Sequence, residues 1–325
     1  MPPVGRLPPH VAYTVAMTIL VCGSMAYDTI MVFPGQFVKH ILPDNIHILN
    51  VAFMVPDMRR EFGGTGGNIA YNLRLLGESP ALMATVGHDS DPYDARLAEL
   101  GISHRHVRHL DDQFTAQAFI TTDVDDNQIT AFHPGAMSFS HLNRIADAAY
   151  ATLAIVSPDG RQGMLDHTRD LAAEKIPYIF DPGQGLPMFD GPELLAMMAG
   201  AKALAVNDYE ARIVEQKTGR KVEDLGRDLA VFVTRAAEGS SVYTDGQRID
   251  VPSVPEEALV DPTGCGDAYR AGLLYGMERG WPWRKCAQLA TVMGSIKIAH
   301  RGGQNHTPSF EKIAGIFQEA FGEKL

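Results

Sequence analysis

The stretch Asp261-Pro262-Thr263-Gly264-Cys265-Gly266-Asp267-Ala268-Tyr269-Arg270-Ala271-Gly272 restricts the possible folds of this chain more than any other. It reads as a loop running into a helix. Pro262 and the two glycines cannot continue a strand, whereas Ala268, Tyr269, Ala271, Leu273, Leu274 and Met277 recur with a helical, mostly apolar spacing. Glycine at 264 and 266 lets main-chain N–H groups come close to a ligand. The helix that follows aims unpaired N–H groups and the positive end of its dipole at whatever lies in front, which favours an anion such as phosphate. Asp267 fits this setting in two ways: as an acidic first-turn residue that complements the dipole, or as general base for an attacking hydroxyl.

At 325 residues the chain can bury the core of one large α/β domain or of two smaller ones. A net charge of −11 with no basic run argues against a nucleic-acid surface. An anionic cosubstrate then needs a local site made of helix ends and a metal. Cys22, Cys265 and Cys286 have no metal-ligand spacing, and an odd count speaks against a disulfide framework, so a reducing, cytoplasmic setting is expected. No apolar run reaches the roughly 20 residues of a membrane span. Ile19–Gly23 reads as a first core strand better than as part of a signal peptide. Met17 then looks like the natural start, and residues 1–16 are expected to be a disordered, Pro-rich extension.

Past the strand at 18–22, Asp28 is either a turn residue or a ligand-facing group beyond a strand end. Thr29–Phe33 and Ile46–Met54 have strand character with no helix between them, which suggests a small separate sheet. Gly63-Gly64-Thr65-Gly66-Gly67-Asn68 enters a helix carrying Ile69, Leu73 and Leu76, and on glycines alone a flexible linker is an equal reading. A strand at 81–86, a helix to about Leu100, a strand near 104–108 and a hairpin of 114–122 with 127–133 follow. A strand–helix alternation resumes at 152, with strands at 152–156, 177–181, 203–206 and 229–234. Asn207 with Glu210 three residues on reads as a helix cap. Helices at about 284–299 and 309–321 close the chain. No GxGxxG follows the first strand, which disfavours a dinucleotide-dependent dehydrogenase, and no Walker, HExxH or GxSxG motif occurs.

Two of these stretches resemble, in the same order, the signatures of the ribokinase-like (phosphofructokinase-B) carbohydrate and nucleoside kinases. Asp261–Asp267 is similar to the C-terminal signature Asp-Pro-Thr-Gly-x-Gly-Asp, and Gly63-Gly64 with Asn68 and Ala70 to the N-terminal Gly-Gly-x-x-x-Asn-x-Ala. The resemblance runs over residues 18–320. It implies a three-layer α/β/α sandwich with a mostly parallel central sheet and a small β-sheet lid. The kinase domain would span 17–325, with the lid from about 29–56 and 113–133. It implies ATP and Mg²⁺ as cofactors. By match, the backbone of Gly264, Cys265 and Gly266 forms the anion hole and Asp267 deprotonates the acceptor. Asp28 holds sugar hydroxyls with Ser24 nearby, Gly63 and Gly64 form a hinge against the substrate, and Asn68 hydrogen-bonds the sugar. Asn207 and Glu210 would support the metal, largely through water. Thr234, Gly239 and Thr263 would hold ATP, and Ala299–Gln304 would close over adenine. Ala236 replaces a family glycine and suggests an altered loop, because alanine tolerates positive φ poorly.

Gln128–Met137 and Phe33-Pro34-Gly35-Gln36-Phe37 resemble the bacterial adenosine kinase branch. There Phe132 would stack on the base, although it serves equally as a lid-core aromatic. An aromatic expected beside it falls at Ala118, next to Phe119. Gln184 matches a purine-contacting residue, and Gly185 stands where that branch has a second Gln, which leaves room for other bases. The expected reaction is phosphorylation of the 5′-hydroxyl of a purine nucleoside: adenosine, with inosine or guanosine as further acceptors. A ribose or fructose kinase and a non-catalytic nucleoside-binding protein are the alternatives. Open lid edges suggest a homodimer through the lid.

Overall fold

Strand β1, Ile19–Cys22, is buried along its whole length, so it must sit in a sheet covered on both faces. The computed structural model describes residues 18–41, 51–125 and 127–325. The expectations for residues 1–16 and for 46–50 lie outside the described residues. Beyond β1 the chain forms β2 (Ala26–Val32), β3 (Asp57–Gly63), β4 (Ala81–Gly87), β5 (Ser103–Leu110), β6 (Ala116–Thr122) and β7 (Gln128–His133). Then come β8 (Leu153–Val156), β9 (Tyr178–Phe180), β10 (Ala203–Asn207), β11 (Ala230–Thr234), β12 (Ser240–Thr244) and β13 (Gln247–Val251).

Nine of these strands make the large sheet, ordered β13-β12-β11-β10-β9-β8-β1-β4-β5. Its pairings are parallel from β5 to β11, and only the β11–β12–β13 edge is antiparallel. Side-chain alternation in β1 sends Ile19 and Val21 to one face and Leu20 and Cys22 to the other. Helices α1 (Thr65–Leu75) and α2 (Asp91–Leu100) cover the first face, joined later in the chain by α7 (Cys265–Glu278) and α8 (Trp283–Ile298). The second face is covered by α3 (Arg161–Ala173), α4 (Gly191–Met198), α5 (Asp208–Thr218) and α6 (Val222–Leu225). The last helix, α9 (Phe310–Phe321), packs Ile313 and Phe317 against α8. Three layers result, as expected.

The four remaining strands form a small sheet, β3-β2-β6-β7. β2 pairs antiparallel with β3 and parallel with β6, and β7 completes a hairpin with β6. Two expectations change here. The partner of β2 is Asp57–Gly63, not Ile46–Met54, and the described residues 51–56 are not strand. The apolar character of that stretch has another cause: Phe53 packs its ring 4.8 Å from Phe33 and 5.0 Å from Phe37. Asp28 is no turn residue, because it lies in β2 opposite Glu61 and Ala118.

Candidate active site

The sheet reverses its direction of growth between β1 and β8, and a crevice beyond the C-terminal strand ends is the expected ligand site of such a fold. A cavity of about 450 Å³ lies there. Ser24, Asp28, Gly64 and Asn68 line it, with Thr263, Gly264 and Asp267 opposite and Phe132 and Gln184 also in its wall. The two glycine-rich segments, far apart in sequence, thus meet across one space.

The first segment is held by close backbone contact. Gly64 has φ 82°, and a Cβ there would lie 2.6 Å from both Ala26 N and Ser24 O. A Cβ at Gly63 would lie 2.5 Å from Asp28 Oδ2. The Ser24 hydroxyl accepts from Thr65 N at 3.1 Å, so it fastens the start of α1 as well as facing the cavity.

The second segment is built around Asp261. Its Oδ1 accepts from Thr263 N and its Oδ2 from Gly302 N, each at 2.8 Å. Buried Lys297 donates to Asp261 O at 2.8 Å. Gly264 takes φ 77° and turns the chain into α7. Among the described residues the N–H groups of Gly264, Gly266 and Asp267 have no protein partner, the condition for an anion site at a helix start. The N–H of Cys265 differs from expectation. It donates to Pro262 O at 3.1 Å and is already engaged.

Asn68 donates to Asp267 Oδ2 at 2.8 Å, and Asp267 lines the cavity with no hydrogen bond to its Oδ1 among the described residues. The orientation of Asn68 is fixed in turn: its Oδ1 accepts from Gln304 Nε2 at 3.1 Å. Gln304 also donates to Tyr93 OH at 2.7 Å, and Tyr93 donates to Gly63 O at 2.7 Å. Burial raises the Asp267 carboxyl to about 7 against the pull of the Asn68 hydrogen bond. Asp28 is raised to about 6 by burial and by the Asp261 and Glu61 carboxylates. Both carboxyl groups therefore titrate near neutral pH.

Asn207, Glu210, Thr234 and Gly239 do not line this cavity. They sit at and beyond the neighbouring ends of β10 and β11, where Asn207 and Thr234 are register partners. Arg270 connects the two places. It donates to both oxygens of Asp181, at 3.0 and 3.1 Å, and to Ala205 O, and it stands 4.0 Å from Glu210. Asn207 and Glu210 form a full capping box: Asn207 Oδ1 accepts from Glu210 N, and Glu210 Oε2 accepts from Asn207 N. Glu210 Oε1 remains available, and burial raises the carboxyl. Among the described residues no cluster of three His, Cys, Asp or Glu could hold a metal directly. A carboxylate oxygen without a hydrogen-bond partner among the described residues, on a residue 4.0 Å from Arg270, fits Mg²⁺ reached through water.

The loop at Ala236 keeps the left-handed conformation that its sequence disfavours: Ala236 has φ 46°, with Arg235 N bonded to Gly239 O at 2.8 Å. Ala236 holds this conformation at the cost of strain. Ala236→Gly is expected to raise stability by about 0.5–1 kcal/mol, read as a higher urea midpoint.

Sequence reasoning gave no role to Asp159, Met137 and Met188, which line the cavity, or to Tyr93, and it set Gln304 in the stretch expected to close over adenine, whereas Gln304 donates to Asn68 and Tyr93. Asp159 comes three residues after β8 ends at Val156, and its position just past a strand end was the available signal. A Cβ at Gly185 would lie 3.2 Å from Met188 Cε, so the methionine occupies space beside the missing side chain. Period-2 alternation accounts for Ala118, which lines the cavity while its neighbour Phe119 does not.

Residues 25–309 match the model of the pfkB family carbohydrate kinases. A nucleoside kinase of Methanocaldococcus jannaschii is 29% identical over 272 residues, 81% of this chain and 88% of that one. The Burkholderia thailandensis nucleoside kinase, solved in complex with inosine, superposes with a TM-score of 0.86 at 49% identity, covering 94% of this chain and 99% of the other. Its complex with ADP-inosine superposes at 0.83 with 50% identity, covering 94% and 97%. With the two glycine segments joined around Asp267, the match over most of its length means that the chain belongs to the pfkB family of carbohydrate kinases, phosphotransferases with a hydroxyl acceptor.

Proposed function

We propose that the chain is an ATP-dependent nucleoside kinase that phosphorylates the 5′-hydroxyl of purine nucleosides, inosine and guanosine as well as adenosine. One observation carries the reading. The cavity that holds Asp267, Asp28 and Asn68 continues past them to Phe132, Met137, Gln184 and Met188, with Asp159 among them, a largely apolar wall with a few polar groups that suits a flat base. A free pentose would leave that part empty. The inosine and ADP-inosine complexes of the Burkholderia thailandensis relative support the same reading.

In this mechanism Asp28 and Asn68 hold the ribose. Asp267 Oδ1 takes the proton of the 5′-hydroxyl as that oxygen bonds to the γ-phosphorus of ATP, and the bond from phosphorus to the β-phosphate oxygen breaks to release ADP. The free N–H groups of Gly264, Gly266 and Asp267 stabilise the charge on the transferred group. Thr234 and Gly239 hold the phosphates from the other side, with Thr263 at the loop. Glu210, beside Asn207, would hold Mg²⁺ through water, and the ion would supply neutralisation of phosphate charge. Phe132, at the cavity edge, stacks on the base.

The test is ATP–Mg²⁺-dependent turnover on adenosine, inosine, guanosine, cytidine, ribose and fructose. Turnover on purine nucleosides at far lower KM than on free sugars is expected. Turnover on free sugars alone would make this a sugar kinase, and binding of nucleosides without turnover would leave a binding protein.

A homodimer through the small sheet is part of the proposal. Met58, Phe119 and Ile129 are exposed there, at 69%, 41% and 44%, and sedimentation as a monomer at all concentrations removes it. Three unpaired cysteines suit a reducing cytoplasm.

A further inference from the structure

Asp159 is a carboxyl group that the phosphoryl transfer does not use. It follows β8 at the head of α3, is 2% exposed, and lines the cavity. Its Oδ1 accepts from Gly160 N at 2.8 Å, while its Oδ2 is buried with no hydrogen-bond partner. The hydroxyl of Ser140 lies nearby but donates to Gly160 O at 3.4 Å. A buried polar atom without a partner is costly, and such atoms mark places where a ligand completes the bonding.

The surroundings say which ligand. A Cβ at Gly160 would lie 2.3 Å from Met137 O, and one at Gly183 would lie 2.6 Å from Pro158 Cγ. Asp159 therefore sits between the segments that carry Met137 and Gln184, where the base belongs in the proposed function. The wall there is rigid: Arg161 donates to Met188 O at 3.0 Å, and Lys217 donates to Leu186 O at 2.7 Å.

We infer that Asp159 reads the nucleobase, its Oδ2 donating a hydrogen bond to an unprotonated ring nitrogen of the purine. The inference rests on the nucleoside reading and adds the group that gives it purine specificity. Burial favours the neutral carboxyl, raising its pKa to about 8 against the pull of the Gly160 N–H and of the nearby Ser140 hydroxyl, so a proton is present to donate at neutral pH. Adenosine, inosine and guanosine all offer an unprotonated N3 on the sugar edge and an unprotonated N7 on the opposite, major-groove edge. A single donor to either nitrogen therefore accepts all three without reading the 6-position. A site built to donate to a ring nitrogen rejects the analogue that lacks it.

The experiment compares wild type, D159N and D159L on inosine, 7-deazainosine and 3-deazainosine. One deaza analogue should raise the wild-type KM by about 10-fold or more with kcat little changed, the loss of one hydrogen bond from a buried donor. D159L should raise the inosine KM by a similar factor yet give no further loss on that analogue. D159N, whose amide can donate from Nδ2 while Oδ1 keeps the Gly160 bond, should recover part of the loss. The inference is overturned if neither analogue is penalised in wild type, or if D159L and the analogue lose independently. Should D159L fail to fold, the wild-type and D159N comparison decides alone. Wild type that phosphorylates ribose and no nucleoside overturns the nucleoside reading and this inference together, whereas unpenalised deaza analogues with normal inosine turnover overturn this inference only.

Discussion

Asp267→Asn lowers kcat by about 10²–10⁴-fold, the usual contribution of a positioned general base. Asn keeps the shape of the side chain and a partner for Asn68, so the loss reports the proton transfer. The pH profile is part of the result. The base works only when ionised, so wild-type kcat rises with pH up to about 7, where Asp267 titrates, and levels above it. Residual activity of the variant lacks that step. Stability moves the other way. A carboxyl whose native pKa lies above its unfolded value near 4 binds its proton more tightly in the folded state. Its contribution is complete below the unfolded pKa and is lost as pH rises through about 7. The uncharged variant therefore melts at a higher temperature than wild type at pH 8, and the gap narrows towards pH 5. Near-normal turnover by folded D267N protein would remove the base role.

Arg270→Met destabilises the fold by about 3–5 kcal/mol, because it strands the Asp181 carboxylate in the interior. Arg270 and Asp181 are 5% and 3% exposed, and the pair is bidentate. Replacing both partners, Asp181→Leu with Arg270→Met, should recover much of the loss, as apolar substitutes of similar size commonly do for buried pairs. Denaturant midpoints of the two single variants and the double variant decide this. Equal midpoints for wild type and R270M would show that the pair adds nothing. Arg270 also holds Asp267 towards its charged form, so the activity of R270M should need a higher pH than that of wild type.

Where the chemistry is local, the sequence is legible. Gly264 and Gly266 before an apolar helical run announce a candidate anion site because backbone freedom and helix start are written in adjacent residues. The buried strands β1, β8, β10 and β11 announce themselves by short apolar runs. β3 does not. Its residues Asp57, Arg59, Arg60 and Glu61 are charged, and it is a strand because β2 offers it a partner. The run at 51–54 misleads for the same reason, since Phe53 is apolar to meet Phe33 and Phe37. The alignment of Asn68 by Gln304 and Tyr93 has no local signature at all. It exists only after the chain has folded residues 236 positions apart against each other.

That long-range contact has a consequence for how the enzyme comes into being. The Asp267 carboxylate, the proposed general base, is oriented by Asn68, and Asn68 is oriented by Gln304, while the loop at Thr263 is held to Gly302 through Asp261. Domains assemble from the N-terminus during synthesis. On the ribosome the sheet can form around β1, β4 and β8 long before residues 302–304 emerge. Until they do, the growing polypeptide has its scaffold but no ordered catalytic group, and so it cannot spend ATP before its synthesis is nearly finished.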